Sequence, residues 1–537
     1  MIDNTASSLP SPHNNRTFRV TEGVILFSLV TYALFAPHSI AVTQAAFLIG
    51  LVAWGIQLVA AGKLRQPRTP IDIAIFGFFA CCVLSSFLSY DPLVSVKGLK
   101  SPAFFFAFYF VSNKVSSLRM ARFLAFAIVG SCLINVAYSA GQIAVGRGLR
   151  IDSITQDGPF DRAGLQIGDV IVEADGRKVK SIEDLSQIAD AQRGRIEIKY
   201  QRNEQLSEAT VSRRAIRKAD ETGIARLGIA VSPGRNFRIT GLYSHYETYA
   251  EVLQLIAALA IGLLIAQPNK RSGSAKFLAV SIGLLVATLL LTSTRAAMIG
   301  LAAAAAAMAL ASSRRRTLAF ATLAIFIVAP MAMLAIERTR GPILFDPQEG
   351  STTYRLEVWR EALGLIKDHP LLGIGKGSEA KLKEKLGLYD DGRLPPGHFH
   401  STPIQIATWW GLPALVFYFS VMSIFIAEAW RLSRKLKAEN RLEAWGISVG
   451  VLGALVAFNV SSLVHFNFGD GEVVMMFWLM TGLLFAVRRV LIEESDAKKT
   501  GQRPPQLSVE DSQTDQPQEL TAASESGALV ARAKQNL

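Results

Sequence analysis

Cysteine is nearly absent from this chain: among 537 residues only Cys81, Cys82 and Cys132 carry a thiol. None is paired as C-x-x-C and none falls in a long connecting segment, so neither a disulfide framework nor a cysteine metal site is indicated. Charge is scarce too, at 18% of residues, which is low for a soluble protein. Several chemical signatures are missing. There is no H-E-x-x-H string to hold and use a catalytic zinc, no G-x-x-x-x-G-K-[ST] phosphate loop and no strand-to-helix G-x-S-x-G elbow. These absences remove the best support for a membrane metalloprotease, a nucleotide-driven pump and a serine hydrolase. Residues 1–20 are polar and lack a small-residue cleavage pattern, so the first apolar segment is expected to act as an uncleaved anchor.

What the chain has instead is apolar length. Half of its residues are hydrophobic and its mean hydropathy is +0.30. The expected class is an all-α polytopic membrane protein, because a spanning helix needs roughly 20 apolar residues and satisfies its backbone internally. About twelve segments approach that criterion: Gly23–Phe35, Ile40–Ala61, Ile71–Leu88, Ala103–Val111, Phe123–Ala144, Tyr249–Ala266, Phe277–Leu291, Ala296–Ala311, Leu318–Leu334, Ile404–Ala427, Ala444–Leu463 and Val473–Val487. The Ala302–Ala307 run fits close helix packing.

Charge orders these segments. Lys63, Arg65 and Arg68, then Lys114, Arg119 and Arg122, then Lys270, Arg271 and Lys276 alternate with the spans, as do Arg314–Arg316, Arg431–Lys437 and Arg488–Arg489. Basic connections stay in the cytoplasm. Both termini are therefore expected there, and the insertions at about 145–245 and 336–403 on the opposite face. The net charge of +13 mainly encodes this topology, with anionic lipid a further expected contact and nucleic acid the weaker reading.

The expected organisation is a cytoplasmic tail at 1–20, five spans within 21–145, a soluble insertion and linker at 146–235 and four spans within 236–335. A large external loop then occupies 336–403, three spans fall within 404–490, and a polar tail over 491–537 is expected to be disordered.

The soluble insertion announces itself by dense charge and short alternating strands. Asp175-Gly176 predicts a hairpin turn. Ser181 with Asp184 predicts a capped helix carrying Ile182, Leu185 and Ile188, and Ile196, Ile198 and Tyr200 alternate as one strand face. The stretch "AGLQIGDVIVEADGRKVKSIEDL" resembles the centre of bacterial PDZ domains over roughly 60 residues, which implies a peptide-docking fold. Its carboxylate-binding loop would fall on Gly148-Leu149-Arg150-Ile151, with "LGIAVSP" at 227–233 a candidate first strand supplied from downstream. A rigid lid or spacer is the alternative role.

Outside the insertion, cations gather at predicted external membrane edges. Arg238 precedes the sixth span, and Arg295 occupies the short turn between the seventh and eighth, where a guanidinium is costly unless it faces a polar cavity or an anion. Arg355 and Arg360 lie on a predicted amphipathic helix with Leu356, Trp359, Leu363 and Leu365. His398 and His400 stand just before the tenth span. Snorkelling to lipid phosphate would explain Arg295, a solvated helix face Arg360, and structural hydrogen bonding His245 and His465.

The order "STRAAMIGL", "YRLEVWREALGLIKDHPLLGIGKG" and "HFHSTPIQIATWWGLPALVFY" resembles the O-antigen ligase and polymerase superfamily. Three departures are Ser401, where that family usually has Asn, Ala296, where Gly or Ser is common, and the soluble insertion, which is unusual there. The resemblance implies transfer of a glycan from an undecaprenyl-diphosphate carrier to an acceptor on the periplasmic face, with no nucleotide, metal or other cofactor. On that reading Arg295 and Arg355 hold the diphosphate charge and His400 is the catalytic base. Arg238, His398 and Arg360 then serve as substrate-binding residues. Acceptors could be a lipid, a growing glycan or protein; a non-enzymatic scaffold or sensor built around the PDZ-like module is the alternative of another class.

Overall fold

The computed structural model describes residues 16–60, 69–191, 194–202, 205–216, 227–234, 238–312, 350–379, 381–382 and 398–500. The predicted span at Leu318–Leu334 lies outside them, as do most of the second external insertion and residues 501–537.

Helices dominate. Arg16–Phe35 (α1), Ile40–Ala60 (α2), Asp72–Phe87 (α3), Pro92–Gly98 (α4), Phe106–Lys114 (α5) and Leu118–Val145 (α6) precede the insertion. Tyr246–Ile265 (α8), Gly273–Leu291 (α9), Arg295–Ser312 (α10), Gly350–Asp368 (α11), Thr402–Ala438 (α12), Leu442–Ser461 (α13) and Gly471–Thr500 (α14) follow it, α7 belonging to the insertion. Among the described residues nine helices are long and apolar enough to cross a membrane, and α3 is a shorter apolar helix.

The predicted fourth span is corrected. Ala103–Val111 is a 3-10 turn, Pro102–Phe105, followed by the nine-residue α5, which at 1.5 Å per residue reaches about 13 Å. Pro102 has no N–H to donate to an uninterrupted helix. At the other end, α14 remains helical to Thr500, beyond the Ile492 boundary expected for a disordered tail. One G-x-S-x-G string does exist, Gly446–Gly450, but it lies inside α13 with Ser448 Oγ donating to the Ala444 carbonyl. It is not a nucleophile elbow.

Burial distinguishes inner from outer helices. The apolar windows of α8, α13 and α14 are 83%, 83% and 89% buried, whereas those of α1 and α9 are each 33% buried. Small residues make the closest contact: a Cβ on Gly262 of α8 would strike the backbone of Gly450 on α13, and one on Gly446 would meet Ala266. Backbones can approach this closely only where side chains are small.

The insertion folds as expected. Leu149–Ile154 (β1), Val170–Ala174 (β2), Arg177–Lys178 (β3), Ile182–Ala191 (α7), Arg195–Arg202 (β4), Gln205–Ser212 (β5) and Ile229–Pro233 (β6) form an antiparallel sheet ordered β5-β4-β2-β1-β6, with β3 on β2. Asp175 and Gly176 both have positive φ in the two-residue β2–β3 turn. Ser181 Oγ accepts from Asp184 N–H while Asp184 Oδ2 accepts from Ser181 N–H, a reciprocal cap for α7. Ile196, Ile198 and Tyr200 join Leu185 and Ile171 in its core.

Gly148 leads into β1, which is paired on both sides, by β2 and by β6. The downstream segment "LGIAVSP" supplies β6, which pairs antiparallel with β1 at the edge of the sheet, as expected of a strand contributed from downstream.

Candidate functional site

Two breaks in regular structure build the site. In α12, Gly411 adopts φ 83°, ψ 172° and interrupts the helix. The segment from His369 to Ser378 docks into that break: Leu412 N–H donates to Pro370 O at 2.8 Å, and the N–H groups of Ile374 and Gly375 donate to the carbonyls of Thr408 and Trp409. A side chain at Gly411 would strike the Leu371 carbonyl. The "HPLLGIGKG" motif thus follows from docking backbone against backbone.

The second break precedes α12. His400 has a left-handed φ of 47°, and the sequence His398-Phe399-His400 alternates. Phe399 is buried, its N–H donating to Gln405 Oε1 at 2.7 Å and its carbonyl accepting from Trp359 Nε1 at 2.7 Å. The two histidine rings come together, with centroids 4.2 Å apart. His400 N–H donates to His398 Nδ1 at 3.3 Å. This explains the Arg-x-x-x-Trp spacing: Trp359 anchors the histidine loop, and Arg355, one helical turn earlier on the same face, reaches to 4.0 Å from Glu247 Oε1.

His465 completes the group, and sequence reasoning missed it as a functional candidate. Its ring lies 6.1 Å from that of His398. Its Nε2 is 3.0 Å from Glu247 Oε2 and its Nδ1 is 2.8 Å from Glu251 Oε1. Glu247 and Glu251 are four apart on α8 and so share a face; that spacing was the available sequence signal. Thr402 ties the loop down, its N–H donating to Ser462 O and His465 O. Its hydroxyl reaches Asn467 Oδ1 at 2.9 Å. Nearby, Thr248 Oγ1 donates to Asp470 Oδ2 at 2.8 Å.

The three imidazoles are driven apart electrostatically. Burial, then the charge of His400 and His465, pushes His398 down to about 4. Burial followed by Arg355 also lowers His400. For His465 burial alone would favour neutrality, but Glu251, hydrogen bonds to both carboxylates and the Glu247 charge raise it well above its ordinary value. Burial lifts Asp470 to about 6. The arrangement is one fixed imidazolium beside two neutral imidazoles. Because His398 Nδ1 accepts a hydrogen bond, the proton of the neutral ring sits on Nε2, leaving His398 a donor at Nε2 and His400 the base candidate.

The remaining predicted residues divide. Arg238 lies with its guanidinium 4.6 Å above the ring of Tyr246, the first residue of α8. Its linker is held by Gln142 and Asn135, which bond Gly241 and Leu242. Arg295 opens α10 two residues after Ser293, whose φ is 55°. Gly300 of α10 faces Gln254 of α8, and Gln254 Nε2 donates to Ser461 Oγ at 2.9 Å. Arg295 therefore starts its helix at the same end of the bundle as the histidines. Arg360 is exposed, and five residues of helix turn it about 140° away from Arg355. His245 stands at the α8 N-cap without a side-chain cap bond.

Residues 277–419 match the O-antigen ligase family, and residues 150–202 match the PDZ domain family. The first match spans Arg295, Arg355, His398 and His400. Both resemblances read from the sequence are borne out. The chain is also 29% identical over 107 residues to "Putative zinc metalloprotease BH06270" of Bartonella henselae, a PDZ-related similarity covering 19% of this chain. The chain spans only 30% of that relative's length. The protein is thus similar to O-antigen ligases, a multi-pass membrane protein with a PDZ domain inserted between α6 and α8.

Proposed function

We propose that this protein moves a glycan from an undecaprenyl-diphosphate carrier to an acceptor hydroxyl at the periplasmic face of the membrane. The observation that carries the reading is the convergence of His398, His400, His465 and Arg355 around Glu247, in a chain whose residues 277–419 match the O-antigen ligase family.

In the proposed step the acceptor oxygen attacks the anomeric carbon, the bond to the carrier's phosphate oxygen breaks, and the diphosphate leaves with the electron pair. His400 takes the acceptor proton. Charge accumulates on the departing diphosphate, where Arg355 and Arg295 supply permanent forked donors and Arg238 assists. His465 is already cationic and cannot serve as base; clamped by Glu247 and Glu251, it sets the field in which Arg355 is shared between carboxylate and phosphate. Extension of a carrier-bound glycan, or transfer to protein, would use the same residues with a different acceptor. The PDZ domain would recruit a peptide or protein partner.

The test is transfer of an undecaprenyl-diphosphate-linked oligosaccharide by purified protein, scored alongside surface glycan in a deletion strain. His400→Ala and Arg355→Ala should each lower the rate by about 10²-fold or more. Wild-type transfer by both variants at normal expression would remove His400 and Arg355 from the chemistry, and an absence of transfer by the wild-type protein would leave only the scaffold reading.

A further inference from the structure

A second site lies at the other end of the bundle. The N-termini of α6, α9 and α13 meet around an open cavity of about 450 Å³ lined by Arg119, Arg122, Phe123, Phe126, Ser274 and Glu443. A smaller neighbouring cavity of about 150 Å³ shares Arg122, Phe126 and Glu443 and reaches Leu263 and Ala266, at the end of α8. Glu247 is at the start of α8, so these cavities stand about 28 Å along the helix from the histidines.

Cationic and apolar surfaces adjoin here. Arg119 is exposed and has no hydrogen-bond or ion-pair partner among the described residues. Arg122 pairs with Glu443 across the cavity, in a contact that is part exposed on both sides, and its guanidinium lies 5.7 Å from the Phe126 ring. Phe126 stacks on Phe277 of α9 at 6.4 Å. From that pair an exposed apolar strip runs on along the two helices, through Val280 and Leu284 on α9 and Ile134 on α6. A soluble anion would use the arginines but not the strip. An anionic lipid would use both, its head group on the basic residues and its acyl chain along the apolar face.

We propose that this cavity binds the phosphodiester of an anionic glycerophospholipid, held by Arg119 and Arg122, with an acyl chain lying over Phe126 and Phe277. Glu443 competes with the lipid for Arg122. The site is independent of the proposed transfer chemistry.

The test uses the full chain purified in neutral detergent, with dioleoyl phosphatidylglycerol, dioleoyl phosphatidylcholine and inorganic phosphate as probes, and retained lipid read by native mass spectrometry. Phosphatidylglycerol should be retained in preference to phosphatidylcholine. Arg119→Gln should cut that preference about fivefold, and Arg119→Gln/Arg122→Gln about 30-fold. Glu443→Gln should raise it. Arg119→Gln alone suffices if the double variant does not fold, because that side chain holds nothing else. Equal retention of the two lipids by wild type, or an undiminished preference in Arg119→Gln, overturns the proposal. So does inorganic phosphate that displaces phosphatidylglycerol at equal concentration, which would make this a free-anion site.

Discussion

The PDZ domain and the histidine-lined end of the helical bundle both place charged side chains close together, but they do so on different scales. In the PDZ domain the defining contacts are short in sequence: Asp175 with Gly176 in one turn, Ser181 with Asp184 in one cap. Even its Asp169–Arg202 bond joins residues 33 apart. At the bundle end, Thr248 meets Asp470 across 222 positions, and His465 enters between two carboxylates of a distant helix. The domain also leaves most of its charges in water, whereas the bundle buries His465 to 6% exposure and Glu251 to 1%. Burial converts the same residue types from solvated decoration into coupled groups whose charge states depend on one another.

The contrast breaks most sharply at His465. His465→Gln would strand Glu247 and Glu251 beside each other without their cation, and removing one partner of a buried pair costs about 3–5 kcal/mol. A large drop in melting temperature of the detergent-purified protein is expected, largely recovered in Glu251→Gln/His465→Gln. An unchanged melting temperature in the single variant would mean that the clamp contributes nothing.

Acid should separate the same groups. His398 and His400 are lowered, so the folded state disfavours their protonation and the stability they allow is lost as pH falls below about 6.5, for His398 down to about 4. His465 is raised, so its contribution is complete below about 6.5 and lost only as pH rises through its folded value. With His400 the base, transfer should stay level from pH 8 to about 6.5 and decline on further acidification. An acid limb centred above pH 7 would contradict that assignment.

Trp359→Phe tests how the loop is held. Loss of the N–H to the Phe399 carbonyl should cost about 1 kcal/mol of stability, yet slow transfer by up to about 100-fold, because small displacements of reacting groups are amplified in rate. Equal, small losses in both would make the bond merely structural. The smallest effect belongs to the PDZ domain. Ser181→Ala removes the cap of α7 at about 1 kcal/mol and should leave the transfer rate unchanged.

The legible parts follow the same division. Asp175-Gly176 and Ser181-Asp184 could be read locally because each encodes a backbone conformation or a bond to a near neighbour, whereas the break at Gly411 inside the expected span Ile404–Ala427 could not. Arg355 and His400 were legible through the order of motifs. His465 was not, since a histidine before "FNFG" carries no local mark, and its partners Glu247 and Glu251 appear only as an i,i+4 pair of acids. Ala103–Val111 misled because apolar composition registers hydrophobicity but not the turn at Pro102.

The sequence by itself determined that this chain crosses a membrane repeatedly, where its inserted domain begins, and which cations lie near span ends, since hydropathy and turn chemistry act over a few residues. Only the tertiary structure decided which imidazole is held charged and which are left neutral, and that the apolar run Ala103–Val111 turns at Pro102 instead of spanning. Those outcomes depend on burial and on neighbours supplied by remote segments, and electrostatic energies in a low-dielectric interior are set by distance in space.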